Sequence, residues 1–132
     1  MIERNIMTLL EADATLTAML ASGSDSIFAV EAQQHTESPF IIVSSSVGIT
    51  DETLDEDRIE IKVVGETVGD IVNIRDRLKT LLDTDNQIRT DASDTTYRLL
   101  YSKLTGSSGQ YNDPDTNEPI DVLFFNIKYL KL

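Results

Sequence analysis

The chain has no cysteine, no tryptophan and a single histidine in 132 residues. Without thiols there is no disulfide framework and no thiolate metal site. Without a His pair or a His-Glu-x-x-His pattern, a zinc centre has no ligands to draw on. Positive charge is also scarce, with 11 Lys and Arg against 23 Asp and Glu and a formal net charge of −12. Phosphate backbones demand cations, so this balance argues against nucleic-acid binding as a main activity. It argues equally against adhesion to an anionic membrane surface. No apolar run approaches the ~20 residues that span a bilayer. Met1 to Asn5 is not a basic segment leading into an apolar one, so no signal peptide is expected.

What is present is ordinary for a globular protein. Hydrophobic residues make up 40% and charged residues 26%. That suits one domain over residues 1–132 with a core of its own. Ile2, Ile6, Leu9 and Leu10 fall on one face of an N-terminal helix. Asp13 reads as the N-cap of a second short helix carrying Leu16, Met19 and Leu20, which Ser22-Gly23-Ser24 ends. Ile27–Val30 reads as a short strand, and residues 31–38 as a polar loop. Pro39 opens a strand over residues 40–46. Gly48 to Asp57 reads as an acidic connection into Arg58–Gly65, where Ile59, Ile61 and Val63 alternate with Arg58, Glu60 and Lys62. These two strands form an antiparallel hairpin. Thr67 and Asp70 make a capping box for a helix whose apolar stripe is Val68, Ile71, Val72, Leu78, Leu81 and Leu82, interrupted at Arg75. Residues 88–96 are polar, with room for one short strand.

Tyr97–Thr105 and Asp121–Leu132 read as the last strands. The final one is apolar on both faces, the mark of a central or doubly covered strand. Gly106 to Pro119 between them reads as a long flexible hairpin loop, with a contour of roughly 45 Å and a reach of about 20 Å. The expected fold is α+β: an antiparallel or mixed sheet of about four to five strands against one main helix and an N-terminal helical segment.

Candidate chemistry is thin. His35 lies among Gln33, Gln34 and Thr36 without a nucleophile or an orienting partner, so it reads as a solvated loop residue. Asp113-Pro114-Asp115-Thr116-Asn117 imitates the start of a calcium loop, but Glu118 stands where Gly is needed and Phe124 where a bidentate Glu is needed. Asp51, Glu52, Asp55, Glu56 and Asp57 form an acidic run that reads as a solvated loop guarding a sheet end. Gly106-Ser107-Ser108-Gly109 lacks the spacing and the lysine of a phosphate loop. Arg75, Arg77 and Lys79 form a basic group on the main helix, which either pairs locally with Asp76 and Asp83 or docks an acidic partner such as another copy. The expectation is no enzyme, no cofactor and no metal.

The whole pattern resembles the small tail-completion, or tail-terminator, proteins of long-tailed bacteriophages. The likeness is carried by Ile6-Met7-Thr8-Leu9-Leu10-Glu11-Ala12-Asp13, Leu16 to Leu20, Ile27-Phe28 and Ser38 to Val43. It continues through Thr53-Leu54-Asp55, Ile59 to Val63, the helix from Asp70 to Leu82, and Phe124 to Tyr129. The long loop 106–119 and the acidity depart from the commoner pattern. The resemblance implies a non-enzymatic virion subunit that forms a ring, usually a hexamer, at the head-proximal end of the tail. Its partners would be the tail-tube protein, the head-completion or connector protein and, in a contractile tail, the sheath. DNA would pass through the lumen without sequence-specific binding. The location implied is the head–tail junction of the virion, and the host cytoplasm during assembly. On this reading the candidate interface residues are Asp51, Glu52, Asp55, Glu56, Arg75, Arg77, Lys79, Gln110, Tyr111, Asp113 and Asp115. The alternative is a cytoplasmic, acidic, ferredoxin-like adaptor that dimerises; a metal-dependent hydrolase using the acidic loops ranks third.

Overall fold

Alternation of apolar and polar residues builds a sheet, and one apolar face of that sheet collects the helices. The computed structural model describes residues 3–29, 37–50, 54–83 and 97–132. Helices α1 (Glu3–Ala12) and α2 (Ala14–Thr17) and a 3-10 turn (Gly23–Ser26) lead into strands β1 (Ile27–Ala29), β2 (Phe40–Thr50) and β3 (Leu54–Val64). Helix α3 (Val68–Leu82) follows, then β4 (Tyr97–Ser107), β5 (Tyr111–Asn112) and β6 (Pro119–Lys131). The strands form one mixed sheet in the order β1-β2-β3-β6-β4, with β5 pairing β6. Only β1 with β2 is parallel; the other pairs are antiparallel. The fold is α+β.

Inward residues Ile41, Val43, Ile59, Ile61, Val63, Leu99, Leu123, Phe125 and Ile127 meet Ile6, Leu10 and Leu16 and the α3 residues Ile71, Ile74, Leu78 and Leu82 in one core. Asp13 caps α2, accepting the Leu16 N–H at 2.9 Å. At α3 both halves of the expected capping box are present. Thr67 Oγ1 accepts the Asp70 N–H, and Asp70 Oδ2 accepts the N–H groups of Thr67 and Glu66. Gly65 suits the close approach of this turn, because a Cβ there would sit 3.1 Å from Asp70 Cβ and 3.2 Å from both Ile71 Cδ1 and the Thr67 carbonyl oxygen. The far end of α3 is tied to β4. Ser102 donates its hydroxyl to the Leu82 carbonyl, and Asp83 Oδ1 accepts the Leu104 N–H at 3.1 Å.

Three expectations need correcting. The acidic connection over 48–57 is mostly strand: β2 runs on to Thr50 past an irregularity between Val47 and Ile49, and β3 starts at Leu54. Pairing with β6, from Leu54 opposite Leu130 onward, holds those acidic residues extended despite their poor strand propensity. Second, the segment 106–119 contains β5, a sixth strand, with Tyr111 opposite Ile120 and Asn112 opposite Pro119. Third, the buried stripe of α3 is Ile71, Ile74, Leu78 and Leu82, while Val68 is 55% exposed. Val68 is the first helical residue, in the turn of α3 next to the cap. The short strand allowed for in 88–96 lies outside the described residues. The order of described elements also differs from the βαββαβ order of a ferredoxin-like fold.

Candidate assembly surface

Several of the sequence-derived candidates among the described residues are engaged within the chain. Arg77 on α3 grips Asp13 with two hydrogen bonds, Nε to Oδ2 at 2.9 Å and Nη2 to Oδ1 at 2.7 Å. The Arg77 hydrogen bond holds the Asp13 carboxyl below the ordinary aspartate value, with burial opposing and the Leu16 N–H and the arginine charge adding to it. The same contact raises the Arg77 guanidinium. Arg75 stands 3.8 Å from Asp121 and 3.9 Å from Asp76. The expected pairing with Asp76 is thus there, but loose, and the second partner comes from β6. Asp121 is 1% exposed and takes a long 3.4 Å hydrogen bond from the Ser108 hydroxyl. Its Oδ2 has no hydrogen-bond partner. Of the basic group, Lys79 is exposed, while Arg75 and Arg77 are partly buried.

Of the acidic run, Asp51 and Glu52 lie outside the described residues, as does His35. Asp55 pairs through its backbone with Thr50 and Tyr129. Glu56 is partly exposed opposite Lys128. Asp57 corrects the solvated-loop reading: it is 2% exposed and accepts the Tyr129 hydroxyl at 2.9 Å. Tyr129 also packs edge-on against Tyr97, ring centroids 5.2 Å apart.

In the 106–119 segment, Gln110, Tyr111 and Asp115 are exposed, Tyr111 by 44%. Asp113 is partly exposed, and its Oδ1 accepts the N–H groups of Asp115 and Thr116 at 2.8 and 3.3 Å. The oxygen-rich spacing therefore makes an Asx turn, and Asn117 closes it in the left-handed region at φ 59°. Among the described residues no group of three or more His, Asp or Glu could hold a metal ion. None of their helices is long and apolar enough to cross a membrane.

The sequence reading missed the outer face of the sheet, opposite the helices. Register places Phe28, Ile42, Lys62 and Val122 in one row across it, then Ser44, Glu60 and Phe124. Arg58, Asn126 and Lys103 form the next row, then Glu56, Lys128 and Tyr101. Arg98 follows, opposite Leu130. The Arg58 guanidinium lies 4.3 Å from the Phe124 ring centroid, and Lys128 Nζ 5.4 Å from that of Tyr101. Among the described residues no element lies over this face, and Ile42, Val122, Phe124 and Leu130 stay partly exposed. It holds five cations, Arg58, Lys62, Arg98, Lys103 and Lys128, against the carboxylates Glu56 and Glu60. The alternate positions of β3, β4 and β6 carry that signal in the sequence, but it is legible only once the strands are in register.

No family model matches the chain, and no curated protein matches it in sequence. Among solved structures it is similar to a chain of the virion of the native gene transfer agent (GTA) particle, with a TM-score of 0.68 and 12% identity. The match covers 94% of this chain and 90% of that one. At this identity the likeness is one of fold, spanning nearly the full length of both chains.

Proposed function

We propose that the chain is a structural subunit of a phage-like virion: a tail-terminator ring, hexameric, that caps the tail tube and joins it to the head. The observation that carries this reading is the full-length fold likeness to a chain of the gene transfer agent virion. The sequence resemblance to tail-completion proteins points the same way. The charge supports it: six copies at −12 each would surround passing DNA with an anionic wall to which it does not adhere. The candidate interface residues that stay at the surface, Glu56, Lys79, Gln110, Tyr111, Asp113 and Asp115, would meet neighbouring virion proteins. The chain catalyses nothing in this role.

The reading is tested by removing the gene from the particle-producing cell and imaging the products. It expects heads without tails and free tails of uncontrolled length. Particles of normal form and yield would overturn it.

A further inference from the structure

We infer that the outer face of the sheet is the surface by which one copy docks against the helical layer of the next. The inference rests on the ring reading and names the contact that would build it. Charge asymmetry carries it. The outer face has five cations against two carboxylates in a chain of net charge −12, which leaves the remaining residues at −15. The helical layer, residues 3–26 and 66–83, has eight carboxylates against four cations. Two of those four are engaged within the chain, Arg77 by Asp13 and Arg75 by Asp121.

Sheet against sheet would oppose two positive faces, whereas sheet against helical layer matches opposite signs. Such a contact joins different patches on the two copies, so it is heterologous and can close into a ring. The face is suited to burial as well as to charge. Ile42, Val122, Phe124 and Leu130 are partly exposed between the cations, giving apolar area framed by charge. Strands about 4.8 Å apart, rising about 3.4 Å per residue, make the four-strand face about 20 by 30 Å, roughly 600 Å². A standard interface buries about 800 Å² per partner. Nucleic acid fits less well: Phe124 and Tyr101 already lie under Arg58 and Lys128, and aliphatic neighbours offer bases no stacking surface.

The test is charge reversal on the full chain, read by sedimentation velocity at low and high salt. One double variant carries Lys62→Glu and Lys103→Glu on the sheet face; the other carries Glu11→Lys and Asp76→Lys on the helical layer. All four positions are at the surface, and circular dichroism confirms that each variant folds. Self-association of the native chain should weaken with salt. Each double variant alone should associate at least about tenfold more weakly, and an equimolar mixture should recover to within about threefold of the native chain. An oligomer that the sheet variant leaves unchanged would overturn the docking inference and leave the ring reading standing. Tighter association of the sheet variant would mean face-to-face pairing and overturn it, as would a mixture that fails to recover. Binding of duplex DNA by the native chain, lost in the sheet variant, would reassign the face to nucleic acid. A native chain that stays monomeric at about 1 mM in low salt would overturn the docking inference, and the ring reading would then stand or fall on assembly with tube protein.

Discussion

Asp13 serves two neighbours at once, as the cap of α2 and as the anion that fixes Arg77 of α3. The two roles separate by substitution. Asp13→Asn keeps a good cap and removes the charge, whereas Asp13→Ala removes both; loss of the cap is itself worth about 1 kcal/mol. Urea denaturation at pH 7 should therefore rank native above Asn above Ala. The pH dependence has a defined sign. The folded carboxyl titrates below the ordinary aspartate value, so the unfolded chain takes up the proton first. The contribution is complete above about pH 5 and is lost as pH falls through the folded value. The native chain and the Asn variant should converge in stability as pH falls below the folded value; a gap that stays constant with pH would contradict the pairing. Tyr129→Phe leaves the buried Asp57 without its 2.9 Å donor. It should lower stability by about 1–3 kcal/mol, seen as a lower urea midpoint with an unchanged slope. Gly65→Ala forces a Cβ against Asp70 and Ile71 and should lower the melting temperature by several degrees, at about 1 kcal/mol or more.

At the scale of elements, local rules and long-range pairing decided different things. Helix α1, the Asp13 cap, the Thr67–Asp70 box and the β2–β3 hairpin were legible because neighbours in sequence cause them. The ends of β2 and β3 were not, because their acidic residues are held extended by a strand some seventy positions away, Asp57 opposite Ile127. β5 was hidden for the same reason: a two-residue strand has no period of its own. Arg77 read as a local pairing or a docking group, yet its partner lies 64 residues earlier in the chain. An edge strand is in general apt to add a neighbour's strand. β4 resists this, with pairing irregularities between Leu99 and Tyr101 and between Leu104 and Gly106, and with Arg98 and Lys103 along it. The turn beyond β5 is separable from the fold. Asn112 lies opposite Pro119, so replacing 113–118 by Asn-Gly should form a two-residue hairpin turn. The melting temperature should stay within about 3 °C of the native value, while attachment to the tail is lost if Asp113 and Asp115 belong to the interface.

For the whole molecule, the distribution of charge says more than its total. Composition showed an acidic chain and stopped there; register and layering sort that charge into a basic sheet face and an acidic remainder. A molecule so divided favours contacts between unlike faces, which is the kind of contact the proposed ring requires. The most direct test of the ring is the mass of the purified protein by light scattering, over a range of concentration and salt, with and without tail-tube protein. The account predicts a hexamer, formed by the chain alone at high concentration or once tube protein is added, and weakened by salt. A stable dimer indifferent to salt and to tube protein would contradict it.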